Sequence, residues 1–267
     1  MRVDVAANVR AVEGRIARAA RAAGRDPSEI LLVAVSKTVD VERIREAIDA
    51  RVPALGENRV QEAKGKIDLL GRPIPWHLVG TLQTNKAKDA VVLFDLIHSL
   101  DRVELARELD RRARGQGKVV DALVEVNVAG EATKAGFLPD QLKDAFEALA
   151  PLNGIRVRGL MTMPPLAEDP EASRPRFRQL RELATLVNGW GFERVEMTHL
   201  SMGMSGDFEV AVEEGATIVR IGTAIFGPRR SLGGGLRPPS EPPLKVARAK
   251  PALETDREPA AEDEDEH

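Results

Sequence analysis

The chain alternates between short apolar runs and amphipathic helical patterns, and this alternation limits its fold more than any other feature of the sequence. The first run spans residues 30–35, and the helical pattern after it is carried by Val41, Ile44, Ala47 and Ile48. Further runs of strand length lie near 54, 76–79, 93–98, 119–128, 157–163, 195–199 and 217–221. Continuous apolar strands separated by helices are typical of parallel sheets covered on both faces. The pattern therefore predicts an α/β fold, a closed (β/α)8 TIM-type barrel, with a doubly wound open sheet as the alternative.

An extra helix is predicted before the first strand, and a separate tail after the barrel. The helix is indicated by Gly24 at the position of a C-terminal cap and by apolar residues three or four apart: Val5, Val9, Val12, Ile16, Ala19 and Ala23. A later helix is predicted from Asp101 to Arg114, with Asp101 and Glu104 at capping-box spacing. From Ser231 onward the sequence is rich in Pro and Gly and ends in an acidic run. We expect a barrel over residues 1–230, a disordered tail over residues 231–267 and no second domain.

Composition excludes several kinds of partner and chemistry. The 39 Lys plus Arg nearly balance 42 Asp plus Glu, so the chain has no strong field that would attract nucleic acid or an anionic membrane. It has no Cys, and its His residues lack the HExxH spacing, so no metal site is predicted. No run approaches the roughly 18 apolar residues of a membrane span. We expect a cytoplasmic monomer with a small-molecule partner.

Polar residues that follow the apolar runs are the candidates for a site, because ligands of such barrels bind at the carboxyl ends of the strands. Along the chain these residues are Lys37, Asn58, His77, Ser201, Arg220, Gly222 and Thr223. Barrels often bind phosphate after strands seven and eight, where glycine lets the backbone approach an anion and hydroxyl groups donate hydrogen bonds. A lysine amine after a buried strand is desolvated, which favours the neutral form that attacks an aldehyde.

Each of these residues, taken alone, is also compatible with a structural role. Gly and Ser residues form ordinary turns, most lysines are solvated, and a histidine in a barrel is often a hydrogen-bonded core residue. Arg220 interrupts an apolar run and must pair with some group, which is either a ligand or a carboxylate of the barrel. Local sequence leaves these alternatives open.

Longer motifs, in order along the chain, resemble the pyridoxal phosphate homeostasis protein family. They are LLVAVSKT at 31–38, GENRVQE at 56–62, WHLVGTLQTNK at 76–86, VNVAGEATKAG at 126–136, RGLMTM at 158–163 and LSMGMSGDFEVAVEEGATIVRIGTAIFG at 200–227. The resemblance covers nearly all of residues 1–228. It implies a barrel similar to the N-terminal domain of alanine racemase, with pyridoxal 5'-phosphate (PLP) as the cofactor.

The resemblance also implies a role for each candidate. Lys37 would hold PLP as a Schiff base, Arg220 would face the pyridine nitrogen and Asn58 would lie at the polar rim of the cofactor. The phosphate would be bound by Ser201, Gly222 and Thr223. His77 is counted with the cofactor-binding residues.

The resemblance implies a protein of vitamin B6 homeostasis and amino-acid balance, and the residues favour a carrier over an enzyme. An arginine at the pyridine nitrogen stays protonated, which weakens the ring as an electron sink. The chain has no Tyr, the residue that similar racemases place opposite the lysine. We therefore assign no catalytic residue and expect PLP-dependent apo-enzymes as recipients. The alternatives are a slow amino-acid racemase that uses His77, His199 or a carboxylate as second base, and an interaction protein whose acidic tail binds a partner.

Overall fold

Eight parallel strands close into a barrel in sequence order, and helices connect them. The structure is a computed structural model that describes residues 3–165 and 167–228. The strands are β1 (Leu31–Val35), β2 (Ala54–Glu57), β3 (Trp76–Leu78), β4 (Leu96–Leu100), β5 (Val120–Glu125), β6 (Ile155–Met161), β7 (Val195–Ser201) and β8 (Ile218–Ile221). The helices are α1 (Val5–Ala22), α2 (Val41–Asp49), α3 (Val60–Leu70), α4 (Ala87–Leu93), α5 (Val103–Arg114), α6 (Leu142–Leu149), α7 (Arg174–Asn188), α8 (Phe208–Glu213) and α9 (Thr223–Phe226).

Pairing of the first strand with the last one closes the sheet. Leu31 of β1 is in register with Ile218 of β8, and Val33 with Arg220. A doubly wound sheet would leave two open edges, so this pairing confirms the predicted (β/α)8 barrel and removes the open-sheet alternative. The predicted tail, residues 231–267, lies outside the described residues. None of the described helices is both long and apolar enough to cross a membrane.

The apolar residues form two layers, one inside the barrel and one between the strands and the helices. The inner layer is small and consists of Val33, Ala54, Val79, Leu96, Leu123, Met161 and Ile218. The outer layer is larger and includes Trp76, Phe146, Phe177 and Phe208, which are all fully buried. Because the inner layer is thin, the upper part of the barrel interior is left for polar side chains, and these build the site.

The extra helix predicted at the N-terminus is present as α1. The Asp4 carboxylate accepts a hydrogen bond from the Ala7 N–H at 2.9 Å and caps its first turn. Gly24 follows the helix with a φ of +69°, the left-handed conformation expected after a helix C-terminus. The helix packs against α9, where the Asn8 side-chain amide donates to the Ile225 carbonyl at 2.9 Å.

Several predicted ends of elements were wrong: β4 spans Leu96–Leu100 rather than 93–98, and β5 ends at Glu125 rather than at 128. The predicted capping box does not form, because α5 begins at Val103 and the Asp101 carboxylate accepts from Arg102 Nη1 at 2.5 Å instead. The seventh strand, predicted to end at His199, continues to Ser201. The longer strand places the Ser201 side chain inside the barrel rather than in the loop above it.

Candidate functional site

A cavity of about 440 Å³ opens at the carboxyl ends of the strands. It collects residues from both ends of the barrel sequence, and five of the seven predicted site residues line it: Lys37, Asn58, Arg220, Gly222 and Thr223. Its charged lining residues are Lys37 and Arg220, and no Asp or Glu of the described chain is among the residues that line it. Two cations without a lining carboxylate favour an anionic ligand.

The loop after β1 presents Lys37 at the second position of a tight turn. The turn is closed by a hydrogen bond from the Val39 N–H to the Ser36 carbonyl at 3.0 Å. Thr38 adopts a φ of +62°, which is uncommon for a β-branched residue and costs on the order of 1–3 kcal/mol. A strained residue next to Lys37 persists only because the surrounding structure holds the turn on both sides.

A buried ionic cluster provides that hold. Lys66 of α3 donates to the Ser36 carbonyl at 2.6 Å and to Oε1 of Glu57 at 2.6 Å. It also donates to Oε1 of Glu62 at 2.7 Å, and the same oxygen accepts from the Thr38 N–H at 2.6 Å. The cluster therefore fixes the residues directly before and after Lys37.

Burial sets the protonation tendencies inside this cluster. Glu57 is fully buried, and desolvation raises the pKa of its carboxyl even though Lys66 and the Ser36 hydroxyl lower it. For the less buried Glu62, desolvation is outweighed by the hydrogen bonds from Lys66 and Thr38, so its pKa is lowered. The ammonium group of Lys66 thus offsets part of the free-energy cost of burying the Glu57 carboxylate beneath the Lys37 turn.

Two glycines allow the close packing that shapes the cavity. A Cβ on Gly80 would lie 2.6 Å from the Asn58 carbonyl oxygen, so a larger residue would push Asn58 out of position. Gly203 has a φ of +90°, and a Cβ there would lie 2.6 Å from Cβ of Ala211. The Gly203 carbonyl accepts from the Arg220 N–H at 3.0 Å, which ties the loop after β7 to β8.

The loops after β7 and β8 meet at one wall of the cavity. Ser205 Oγ accepts from the Ala224 N–H at 3.3 Å, and Ser205 and Gly206 line the cavity beside Gly222 and Thr223. The wall therefore combines hydroxyl groups with glycine backbone, a composition suited to an anion such as phosphate. Ser205 was not among the predicted ligands.

Arg220 carries a positive charge into the barrel interior with neutral partners only. It is 4% exposed, and its guanidinium donates to Ser201 Oγ at 2.5 Å and to the Thr162 carbonyl at 2.9 Å. Burial lowers its pKa to about 10, against the raising effect of Glu125 and Asp207, so it stays charged at neutral pH. None of the described ion pairs includes Arg220, so Glu125 and Asp207 act on its charge only from beyond ion-pair distance.

Beside Arg220 a chain of buried side chains crosses the barrel. His98 Nδ1 lies 2.8 Å from Ser201 Oγ, and His98 Nε2 lies 3.0 Å from His77 Nδ1. The guanidinium can only donate hydrogen bonds, so Ser201 Oγ accepts from Arg220. The Ser201 hydroxyl then donates to His98 Nδ1, and His98 Nε2–H donates to His77 Nδ1. Burial lowers the pKa of His77 to about 4 and that of His98 well below its usual range, so both rings are neutral at pH 7.

These hydrogen bonds give two of the predicted residues a position that differs from the prediction. Ser201 is fully buried and its hydroxyl is engaged by Arg220 and His98, so the structure gives no support to a phosphate contact from it. His77 is 5% exposed, is hydrogen-bonded to His98 and is not among the residues that line the cavity. Ser201 contacts the cavity-lining Arg220 directly, and His77 is linked to it through His98 and Ser201.

The sequence did not predict the residues that contact the site residues without lining the cavity themselves. His98 lies within the apolar run that forms β4, and its contacts with His77 and Ser201 depend on the folding of three strands against one another. Lys66 and Glu62 are four residues apart on α3, a spacing that does indicate a helical ion pair. Their link to Glu57 and to the Lys37 turn depends on tertiary packing.

The matching family model gives the class of the protein. Residues 7–230 match the model described as alanine racemase, N-terminal domain, which is nearly the whole of the described barrel. Among curated relatives, the pyridoxal phosphate homeostasis protein of Aquifex aeolicus is 50% identical over 217 residues, covering 81% of this chain and 94% of the relative. The protein of that name from Pseudomonas aeruginosa is 42% identical over 226 residues, covering 84% of this chain and 96% of the relative.

A solved structure gives the same result. The barrel is similar to PipY of Synechococcus elongatus with PLP bound, at 36% identity and a TM-score of 0.74, covering 84% of this chain and all of that one. PipY has also been solved without PLP, and that structure is 40% identical with a TM-score of 0.71, covering 74% of this chain and 93% of that one. The chain therefore belongs to the pyridoxal phosphate homeostasis protein family, as its motifs predicted.

Proposed function

We propose that this chain binds PLP in the 440 Å³ cavity, with Lys37 as its covalent attachment, and takes part in PLP homeostasis and amino-acid balance. The observation that carries the proposal is the convergence of Lys37 and Arg220, from opposite ends of the barrel sequence, on one cavity without lining carboxylates. Family membership, and a relative solved with PLP bound, support the same conclusion.

The cavity fits the chemistry of PLP. When bound, PLP supplies an aldehyde that a lysine amine can capture as a Schiff base, a phosphate dianion and a pyridine ring. Thr223, Ser205 and the glycine backbone of the loops after β7 and β8 offer donors for the phosphate. Arg220 offers a fixed donor for an acceptor atom of the ring, and Asn58 offers an amide at the edge of the cavity.

A carrier role fits these residues better than amino-acid catalysis. Arg220 keeps its positive charge and so opposes protonation of a ring nitrogen that it faces, which weakens the ring as an electron sink. The chain has no Tyr to act as a second acid or base. His77 is a poor substitute, because burial lowers its pKa to about 4 and both it and His98 are committed to one hydrogen-bonded chain.

The attachment is tested by borohydride reduction of the full-length chain loaded with PLP, followed by peptide mapping. The pyridoxyl mass should be found on Lys37. Lys37→Ala should lose the covalent absorbance band while keeping its melting temperature, and Lys64→Ala, an exposed lysine of α3, is the matched control. Label found only on Lys86 or Lys134 would contradict the assignment.

The carrier role is tested by two assays on the same loaded protein. Transfer to a PLP-dependent apo-enzyme is expected to restore activity of that enzyme, with the chain acting as a monomer. A panel of L- and D-amino acids should show only residual racemisation or keto-acid formation. General acid–base catalysis contributes about 10²- to 10⁴-fold, and none of the described residues that line the cavity beside Lys37 is a Tyr, His, Asp or Glu. Robust turnover that requires Lys37 would favour the racemase alternative.

A further inference from the structure

A second cavity of about 540 Å³ lies beside the first one, over the ends of β5 and β6. Met163 lines both cavities and forms part of the wall between them. The polar lining of the second cavity includes Glu125, Asn127 and Lys134, and most of its other walls are aliphatic, among them Val128 and Pro164. None of the residues assigned to PLP lines it.

Two buried oxygen atoms at this cavity have no hydrogen-bond partner. They are Oε2 of Glu125, a residue that is 3% exposed, and Oδ1 of Asn127, a residue that is 7% exposed. The Asn127 amide nitrogen donates to the Glu131 carbonyl at 2.8 Å, so the oxygen is the end of the side chain that remains unpaired. Buried acceptors without a donor cost about 1–3 kcal/mol each, and more when charged, which makes two at one cavity a marker of a missing partner.

The lysine among the described residues that line this cavity does not fill this gap. Lys134 donates to the Met163 carbonyl at 3.2 Å and pairs with the Glu131 carboxylate at 3.6 Å. Neither of the unpaired oxygens is among the partners of its ammonium group. The lysine therefore shapes the rim, and the two acceptors have no donor among the described residues.

We propose that this second cavity binds the primary ammonium group of a small aliphatic amine, held by Glu125 and Asn127. An alkylammonium group has three N–H donors, no acceptor and a positive charge, so it complements a carboxylate and an amide oxygen. The aliphatic walls suit a short alkyl body. The inference goes beyond PLP binding and does not require a ligand in the first cavity.

The charge of Glu125 makes the binding depend on pH. The pKa of its carboxyl is raised to about 7, mainly by burial and also by Asp101, while Arg220 acts to lower it. Among the described residues, Lys134 and Glu131 are the other charged groups that line this cavity. Only the ionised carboxylate attracts an ammonium group. Affinity should therefore increase as the pH rises through about 7, by about tenfold between pH 6 and pH 8.

The test is a titration of the full-length chain with n-butylammonium, followed by saturation-transfer NMR. The chain is first freed of PLP, because a primary amine reacts with the aldehyde. Glu125→Gln keeps the shape of the side chain and removes its charge, and Asn127→Ala removes the second acceptor. Glu193→Gln, an exposed residue with the same loss of charge, is the matched control.

The expected result is binding that Glu125→Gln weakens at least tenfold, that Asn127→Ala weakens several-fold and that Glu193→Gln leaves unchanged. n-Butanol, which lacks the charge, should bind at least tenfold more weakly than n-butylammonium. Equal affinities of the wild type and Glu125→Gln, or of the two probes, would overturn the proposal, and so would a flat pH profile of the wild type, which needs no variant. Because no PLP is present, these outcomes are independent of the cofactor assignment.

Discussion

Replacement of Lys66 by Met tests whether the buried ionic cluster holds the Lys37 turn. The substitution keeps the length and much of the volume of the side chain, but it removes the ammonium group that reaches Ser36, Glu57 and Glu62 at 2.6, 2.6 and 2.7 Å. Glu57 is left fully buried with the Ser36 hydroxyl as its remaining hydrogen-bond donor. The Thr38 backbone keeps its contact with Glu62, whose carboxylate is then no longer anchored.

The size of the effect follows from the burial of the pair. Breaking a buried ion pair by removing one partner costs about 3–5 kcal/mol, because the remaining charge is uncompensated. For a domain of this size, 1 kcal/mol corresponds to about 2–4 °C in melting temperature, so the variant should melt about 6–20 °C below the wild type. Lys64→Met on the exposed side of the same helix should change stability by less than about 0.5 kcal/mol.

The loss should also depend on pH. The pKa of Glu57 is already raised by burial, and removal of Lys66 takes away the group that lowers it most. A carboxyl with a raised pKa in the folded state destabilises the fold increasingly as the pH rises, because ionisation becomes easier in the unfolded chain. The deficit of Lys66→Met should therefore be smaller at pH 5 than at pH 8, and Glu57→Gln should relieve part of it.

Urea unfolding at both pH values measures these differences, and borohydride labelling of Lys37 reports on the turn itself. We expect lower labelling of Lys66→Met at a PLP concentration that saturates the wild type. A variant that is as stable as Lys64→Met at pH 8, or that labels normally, would show that the cluster does not support the turn.

Three further predictions concern the rest of the site. Ionisation of Glu125 should lower the unfolding free energy of the wild type by about 3 kcal/mol between pH 4.5 and about 7, and Glu125→Gln should abolish this loss. The measurement is the difference in unfolding free energy between the variant and the wild type across that range. A difference that does not change with pH would contradict the raised pKa. Arg220→Gln should weaken PLP binding at least about tenfold in equilibrium dialysis while the barrel stays folded, and unchanged affinity would place the cofactor elsewhere. Gly203→Ala should cost about 1–3 kcal/mol in urea unfolding, whereas Gly65→Ala in α3, where nothing lies within 4 Å, should be neutral or stabilising.

The order of the strands could be predicted because each unit carries its own local signal. An apolar run followed by residues at helical spacing identifies a strand and a helix without knowledge of the rest of the chain. The glycine after α1 likewise marks a helix end from its own conformational freedom. The residues on the cavity, such as Lys37 and Thr223, follow from the strand ends once a closed barrel is assumed.

What could not be predicted depends on contacts between distant parts of the sequence. Whether β7 ends at His199 or at Ser201 depends on its pairing with β6 and β8, and this difference of two residues separates a loop ligand from a core hydroxyl. The unpaired oxygens of Glu125 and Asn127 are visible only when every neighbouring donor has been placed. Lys66 looks like an ordinary helix-surface lysine until β2 and the Lys37 turn are packed against it.

Closure of the barrel between β1 and β8 has a consequence for how the protein is made. The wall that holds Lys37 emerges early from the ribosome, whereas Arg220, Gly222 and Thr223 are among the last residues of the barrel to be synthesised. At about 5–20 residues per second the growing chain spends tens of seconds with one edge of β1 unpaired, and such an edge can pair with another chain. A cavity built from both ends of the barrel can form only after β8 and the loop after it have been synthesised, so newly made barrels start empty and compete for the ligand with other proteins that bind it.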